Sequence, residues 1–133
     1  MNFLMGLINT MGLLDQTTEI VVFGKGVGES ILFRVKDDKW IVIDSFIEPS
    51  SKLPIALKYF RDNNMRIDDI VGILCTHWDD DHIRGISDII KVHSNTLPVV
   101  MPIVLKDKRV REYVKSKITS NTPCITEFMR VLK

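Results

Sequence analysis

Cysteine is scarce in this sequence: Cys75 and Cys124 are the only two among 133 residues. Two thiols do not make the disulfide framework of a small secreted protein, so a reducing compartment, the cytoplasm, is expected. Cys75 lies inside an apolar run. It is therefore predicted to be a buried thiol rather than a metal ligand.

An excess of charge of either sign is also missing. The chain has 18 Lys and Arg residues against 17 Asp and Glu residues, a formal net charge of +1. Such a chain has no global attraction to nucleic acid or to acidic membranes. Basic side chains do cluster in a helix predicted over residues 106–117. Either that helix contacts phosphates, which makes nucleic acid a possible partner, or it is a solvated face.

No apolar run is long enough to cross a bilayer. The longest candidate is Phe3–Leu14, whose apolar side chains fall on one helical stripe. The first basic residue is Lys25, so a secretory signal is not predicted either. The stretch is expected to dock as a helix or to meet another chain, and an interfacial membrane role stays open.

The chain in order predicts alternating strands and helices, with a hydrophobic content of 45% that is ordinary for a soluble domain. Three strands with turns between them indicate an antiparallel meander, and a helix introduced by Ser50 or Ser51 should follow. A final apolar stretch after Pro123 is interpreted either as the mark of a truncated reading frame or as a strand that pairs with another chain. The predicted strands are 19–23, 30–35, 39–44, 70–75 and 97–105, and the predicted helices are 52–63 and 86–92.

Histidine is rare as well, yet two of the three histidines fall within one short acidic segment after the strand over 70–75. The segment reads H-x-D-x-D-H, with candidate ligands His77, Asp79, Asp81 and His82. A spacing of two can aim alternate side chains the same way in an extended or loop backbone. Nitrogen and oxygen donors of this kind suit a divalent transition metal. The alternative is an acidic turn in which Asp80 or Asp81 caps the next helix.

Asp44 ends the third predicted strand, in the sequence Ile41-Val42-Ile43-Asp44-Ser45. It either orients a ligand histidine from behind or serves as a turn residue, and the sequence leaves both open. The third histidine, His93, is expected at the end of the helix over 86–92, away from the metal ligands. Gly24, Gly26 and Gly28 predict a hairpin turn, because their spacing matches neither a dinucleotide loop nor a P-loop.

Three segments carry a resemblance to a known family: 24–32, 41–45 and, most specifically, 76–85. Together they resemble the metallo-β-lactamase fold family. The H-x-D-x-D-H motif is similar to the subset that includes the hydrolase domains of competence-type DNA-uptake proteins. The resemblance implies an α/β fold, an αββα sandwich in which a mixed sheet has flanking helices. Residues 1–133 would form a single metallo-β-lactamase-like domain that is incomplete and corresponds to the N-terminal half.

The resemblance also implies which residues of the motif bind which metal ion. His77 and Asp79 would hold one metal ion, and Asp81 and His82 a second. Zinc is the expected ion, although the carboxylate of Asp79 moves the preference toward manganese or iron, and one or two ions are possible. Asp81 would act catalytically by accepting a proton from the attacking water.

Two functions follow as hypotheses. The first is a metal-dependent hydrolase in which a metal-activated water attacks a small-molecule ester or a phosphodiester. The second is a non-catalytic half-domain that acts in assembly or protein binding. In both cases a homo-oligomer or a partner chain is expected, through Phe3–Leu14 or through an open sheet edge.

Overall fold

The structure is a computed structural model, and it describes residues 18–24, 26, 28–101, 112 and 123–131. A single mixed sheet forms its centre. The strands are β1 (Ile20–Gly24), β2 (Glu29–Arg34), β3 (Trp40–Ile43), β4 (Ile70–Leu74) and β5 (Val99–Val100). The helices are α1 (Ile55–Asp62), α2 (Asp80–Ile83), α3 (Ile86–Val92) and α4 (Pro123–Val131), with 3-10 turns at Lys36–Asp38 and Ile67–Asp69.

The five strands lie in sequence order across the sheet. β1, β2 and β3 form an antiparallel meander, as the sequence predicted. β4 lies parallel to β3, and β5 lies parallel to β4. A parallel neighbour needs a crossover connection, and α1 supplies it between β3 and β4. The α/β class and the mixed sheet with flanking helices are confirmed.

Register separates the two faces of the sheet cleanly. One row of paired side chains crosses all five strands and is largely buried; it consists of Val21, Leu32, Val42, Ile73 and Val99. The neighbouring row points the opposite way because successive side chains alternate between faces. Its members are also apolar, but none is buried: Val22, Ile31, Ile43, Leu74 and Val100.

The described helices pack on the face of the buried row, in one core cluster. Phe60 of α1 meets Trp40 of β3 edge to face, with ring centroids 5.9 Å apart. Ile86 and Ile89 of α3 and Phe128 of α4 complete the cluster. Full burial of such a side chain contributes about 1.5–3 kcal/mol, so this face holds the fold together.

Several predicted elements differ from the structure. Helix α1 begins at Ile55, later than predicted, and neither Ser50 nor Ser51 caps it. Ser51 Oγ instead accepts a hydrogen bond from Leu53 N–H at 3.3 Å, inside the preceding loop. Strand β5 is only Val99–Val100, although it lies at the sheet edge as its flanking prolines predict.

The predicted pairing strand near Pro123 is wrong, because these residues form helix α4 on the core of the same chain. The apolar stripe Phe3–Leu14 lies outside the described residues, and so does the basic helix over 106–117 except for Glu112. Among the residues that the structure describes, no helix is long and apolar enough to span a membrane.

Candidate metal centre

The acidic motif lies at the carboxyl ends of the two parallel strands β3 and β4. Asp44 follows β3 directly, and Thr76 comes two residues after the end of β4. Backbone hydrogen bonds tie the two ends together: Asp44 N–H donates to Leu74 O at 2.8 Å, and Ser45 N–H donates to His82 O at 2.7 Å. Ligand sites of open α/β sheets occur at this edge, where adjacent strand ends leave a crevice.

Asp44 is buried and accepts hydrogen bonds from both flanks of the motif. Its Oδ1 accepts from Thr76 N–H at 2.6 Å, and its Oδ2 accepts from the Thr76 hydroxyl. Oδ2 also lies 3.0 Å from His82 Nδ1. A buried carboxylate needs such partners, because an unpaired one is costly in a low-dielectric interior. Of the two interpretations of Asp44, the one in which it orients a histidine matches these contacts, because Asp44 contacts His82 directly.

The motif itself is split between loop and helix. His77 is in the loop after β4, Asp79 precedes α2 as its N-cap residue, and Asp81 and His82 lie within α2. The prediction that His77, Asp79 and Asp81 alternate along an extended backbone is wrong at Asp81, where the chain is helical. The capping alternative also fails, because no side chain of the acidic segment caps α2 or α3.

The two imidazoles of the motif face each other. The ring centroids of His77 and His82 are 5.2 Å apart, with the planes tilted by 49°. Nδ1 of His77 lies 3.0 Å from the Thr76 hydroxyl oxygen, and Nδ1 of His82 faces Asp44. Nε2 of His82 lies 3.7 Å from Asp81 Oδ2. Each ring is thus held at Nδ1, and its Nε2 is the nitrogen left for a ligand.

Negative charge around His82 raises its pKa. Burial lowers the pKa of His82, but its hydrogen bond to Asp44 and the charges of Asp44, Asp81 and Glu29 outweigh that effect, so the pKa of His82 is raised. An environment that favours an imidazolium is one with surplus negative charge. That surplus also favours a bound cation.

A half-open pocket of about 580 Å³ adjoins His82 and Asp81. Its opposite wall is the turn between β1 and β2, through Gly24, Gly26, Gly28 and Glu29. Gly28 explains the close approach: a Cβ there would lie 2.6 Å from Phe46 Cβ and 2.7 Å from the Asp81 carbonyl oxygen. The predicted hairpin turn is confirmed, and it also lines the candidate site.

Three neighbours of the motif have roles that sequence reasoning missed. Thr76 bonds to Asp44 through both its backbone and its hydroxyl group. Trp78 packs against Phe128 of α4, with ring centroids 5.2 Å apart and the planes tilted by 54°. Glu127 of α4, also buried, accepts a hydrogen bond from Ser87 N–H at 2.7 Å near the start of α3. Only the position of Thr76 beside a candidate ligand gave any signal in the sequence.

The other titratable candidates lie as expected. Cys75 is fully buried, and burial together with the charge of Asp44 raises the pKa of its thiol to about 12. The prediction of a buried thiol is confirmed. His93 follows the last residue of α3, and its Nε2 lies 2.9 Å from Ile70 O, at the opposite end of β4 from the motif.

The fit to a metal ion is clear in the donor chemistry and incomplete in the geometry. Two imidazoles, each held at Nδ1, belong to the same short segment as the exposed carboxylates of Asp79 and Asp81. These are the donor types that zinc and manganese take. Among the described ranges, however, no three His, Cys, Asp or Glu side chains surround one point. Asp81 Oδ2 lies 3.7 Å from His82 Nε2, and a bound ion would have to draw further side chains inward.

Comparison with known proteins gives the family. The profile of the metallo-beta-lactamase superfamily matches residues 23–117. A search of curated proteins returned no match. Two similar solved structures are the metallo-beta-lactamase SMB-1 bound to 2-mercaptoethanesulfonate and a putative metallo-beta-lactamase from Thermotoga maritima.

The first structure is 24% identical, with a TM-score of 0.46, covering 59% of this chain and 29% of its own. The second is 19% identical, with a TM-score of 0.44, covering 81% of this chain and 44% of its own. The chain thus spans less than half the length of either protein. Since the family profile matches most of the sequence and includes both the glycine turn and the H-x-D-x-D-H motif, this chain belongs to the metallo-beta-lactamase superfamily.

Proposed function

We propose that this protein is a metal-dependent hydrolase in which His77, Asp79, Asp81 and His82 hold one or two divalent ions. Members of the superfamily generally bind divalent metals, often zinc. Zinc is the first candidate here and manganese or iron the next, because Asp79 adds a hard carboxylate ligand. The observation that carries the proposal is the facing pair of imidazoles, 5.2 Å apart, each held at Nδ1.

Each residue then has a distinct role. His77 and Asp79 form one donor pair, and Asp81 and His82 form the other. Asp44 fixes the ring of His82 through the 3.0 Å contact at Nδ1. The chemistry that a divalent ion supplies when bound is activation of a water molecule for attack on an ester or phosphodiester. Asp81, whose carboxylate is exposed next to His82 Nε2, accepts the proton that this water loses.

The pocket supports a small-molecule substrate. It lies on the open side of Asp81 and His82, and its volume of about 580 Å³ is within the usual range for small-molecule sites. Glycine backbone forms most of the opposite wall, so polar substrate groups can approach main-chain atoms there. A nucleic-acid substrate remains the alternative, based on the basic segment 106–117, which lies outside the described residues apart from Glu112.

Metal content tests the proposal directly. The 133-residue chain is purified, loaded with zinc, dialysed and analysed for metal beside His77→Ala, Asp79→Asn and Asp88→Asn. Asp88 is the matched control because it is a half-exposed carboxylate on α3, paired with Lys91 at 3.0 Å. We expect near-stoichiometric zinc in the native chain and Asp88→Asn, and a loss of zinc in His77→Ala and Asp79→Asn. A folded native chain that retains no zinc, manganese or iron contradicts the proposal.

A second candidate function is assembly, supported by the apolar row on the helix-free face of the described sheet. Val22 and Val100, at the two ends of this row, are 61% and 60% exposed. An apolar surface of this kind is typical of protein interfaces. In this alternative residues 1–133 act as a single half-domain that binds a second copy or a partner chain, without catalysis. We retain the cytoplasm as the proposed location, from the two free cysteines.

A further inference from the structure

Thr76 lies at the junction between the buried carboxylate and the exposed histidine of the motif. Its hydroxyl group donates a hydrogen bond to Asp44 Oδ2 and its oxygen lies 3.0 Å from His77 Nδ1. Its backbone N–H donates to Asp44 Oδ1 at 2.6 Å. We propose that Thr76 is a positioning residue. Its hydroxyl group, oriented by the hydrogen bond to Asp44, holds His77 in the tautomer with its proton on Nδ1.

Proton counting at the hydroxyl supports this assignment. A threonine hydroxyl has a single hydrogen to donate. Since an ionised carboxylate only accepts, that hydrogen belongs to the bond with Asp44 Oδ2. The hydroxyl oxygen then offers a lone pair to His77 Nδ1, which must carry the hydrogen of the 3.0 Å contact. A neutral imidazole protonated at Nδ1 has its free lone pair at Nε2.

Asp44 therefore reaches both histidines of the motif. It contacts His82 Nδ1 directly at 3.0 Å, and it reaches His77 through the Thr76 hydroxyl. The two rings also differ in how strongly their surroundings restrain them. His82 is partly buried in helix α2, whereas His77 is exposed in a loop and has fewer packing restraints on its ring. The hydrogen bond at Nδ1 is thus the main described restraint on the orientation of the His77 ring.

The backbone and the side chain of Thr76 make different hydrogen bonds, which can be removed separately. The bond from Thr76 N–H to Asp44 is made by any residue except proline. The bond from the hydroxyl is made only by threonine or serine among residues of similar size. Thr76→Val keeps the branched shape and removes the hydroxyl group, whereas Thr76→Ser keeps the hydroxyl. The two variants therefore separate the effect of the hydroxyl group's hydrogen bonds from the effect of side-chain packing.

The tautomer is measured without any metal, by imidazole nitrogen-15 NMR of the full 133-residue chain at pH 8.5. We expect His77 to be protonated at Nδ1 in the native chain and in Thr76→Ser. In Thr76→Val we expect His77 to shift toward the Nε2-protonated form that free histidine favours, while the signals of His93 stay unchanged. A native chain with His77 protonated at Nε2 overturns the proposal even if Thr76→Val does not fold. An unchanged tautomer in folded Thr76→Val overturns it too.

Zinc affinity, measured by competition with a chromogenic chelator, is the second readout, and it rests on the proposed function. Loss of such a supporting hydrogen bond typically weakens metal binding about 10–100-fold. We expect a loss of that size in Thr76→Val and less than about a threefold change in Thr76→Ser. If the native chain binds no zinc but shows the expected tautomers, the proposed hydrolase function is contradicted and the proposed role of Thr76 is supported. Equal zinc affinity in Thr76→Val and Thr76→Ser argues against the proposed role of the Thr76 hydroxyl group.

Discussion

Asp44 illustrates how one residue organises the site. Its backbone is in the left-handed region, with φ of 54°, at the end of β3. Aspartate and asparagine adopt this conformation more readily than most side chains. The turn points the carboxylate at Thr76 and His82 rather than along the strand. Backbone conformation and hydrogen bonding thus favour the same residue at this position.

Asp44→Asn should weaken both stability and metal binding. Asparagine tolerates the backbone but replaces one acceptor oxygen with a donor group, which then faces Thr76 or His82. We expect a loss of about 1–3 kcal/mol in the free energy of unfolding. Zinc affinity should fall about 10–100-fold. Urea unfolding and zinc titration check both effects, and Asp88→Asn should stay within about 0.5 kcal/mol of the native chain.

Cys75 should be inert toward thiol reagents in the folded protein. Its pKa of about 12 leaves a negligible thiolate fraction at pH 8, and the side chain is fully buried. The variant Cys124→Ser carries Cys75 as its single thiol. We expect it to react with a disulfide reagent only after denaturation. Rapid reaction under native conditions would show that the end of β4 opens easily.

The turn between β1 and β2 depends on glycine at two positions with positive φ. Gly28 has φ of 140° and stands against Phe46 and the Asp81 backbone, whereas Gly26 has φ of 73° and no atom within 4 Å of a built Cβ. Gly26 therefore tests backbone strain alone, whereas Gly28 combines backbone strain with a steric clash. They also link the fold to the site, because the turn forms one wall of the pocket.

Gly28→Ala should be much more damaging than Gly26→Ala. In Gly28→Ala the new methyl group must displace Phe46 or the segment that carries Asp81, at a cost of about 2–4 kcal/mol. In Gly26→Ala only the left-handed conformation is penalised, by about 1–2 kcal/mol. Thermal unfolding of the two variants gives the comparison. Equal destabilisation would mean that the turn moves away from α2 without cost.

The loop between β3 and α1 should make stability depend on pH in the acid range. Hydrogen bonds from the Ser51 backbone N–H and the Ser50 hydroxyl lower the pKa of Glu48 from 4.5 to about 2. Because the pKa is lower in the folded state, the stabilisation is present above about pH 4.5 and is lost as pH falls toward 2. Glu48→Gln should therefore be less stable than the native chain at pH 6. The difference should disappear near pH 2, as measured by denaturant unfolding across this range.

At the scale of the whole molecule, the sheet has two apolar faces and the described helices cover one of them. The uncovered row runs from Val22 to Val100 across all five strands. Paired apolar side chains on an exposed face favour association with another apolar surface. The arrangement is compatible with the proposed hydrolase, because the metal motif lies at the end of the sheet rather than on this face.

A charge on this face should reduce self-association if the protein forms oligomers through it. We expect Val22→Asp and Val100→Asp to shift the protein toward monomer in sedimentation velocity, by placing a carboxylate in an apolar contact. Val92→Asp is the matched control, since Val92 is 53% exposed on helix α3. If all three variants and the native chain sediment alike, this face does not mediate oligomers.

Much of the fold was predictable because its signals are local. Helix α3 has the predicted bounds, and β1 to β4 lie within about one or two residues of theirs, since apolar runs and turn residues mark them. The start of α1 was missed because its loop satisfies its own hydrogen bonds through Glu48 and Ser51. Helix α4 was missed because its contacts, from Phe128 to Trp78 and from Glu127 to Ser87, join residues some 40 or more positions apart.

The sequence by itself determined the order of elements from β1 to β4 and the position of α3, the membership of the family through the H-x-D-x-D-H motif, and the burial of Cys75. All three depend on residue types and spacings within short segments. Tertiary structure alone decided that Asp44 meets His82 across 38 positions, that Thr76 stands between Asp44 and His77, and that one apolar face of the sheet is left without a described helix. These facts arise from the parallel pairing of β3 with β4, and strand pairing is fixed by the packing of the whole core rather than by neighbours in the chain.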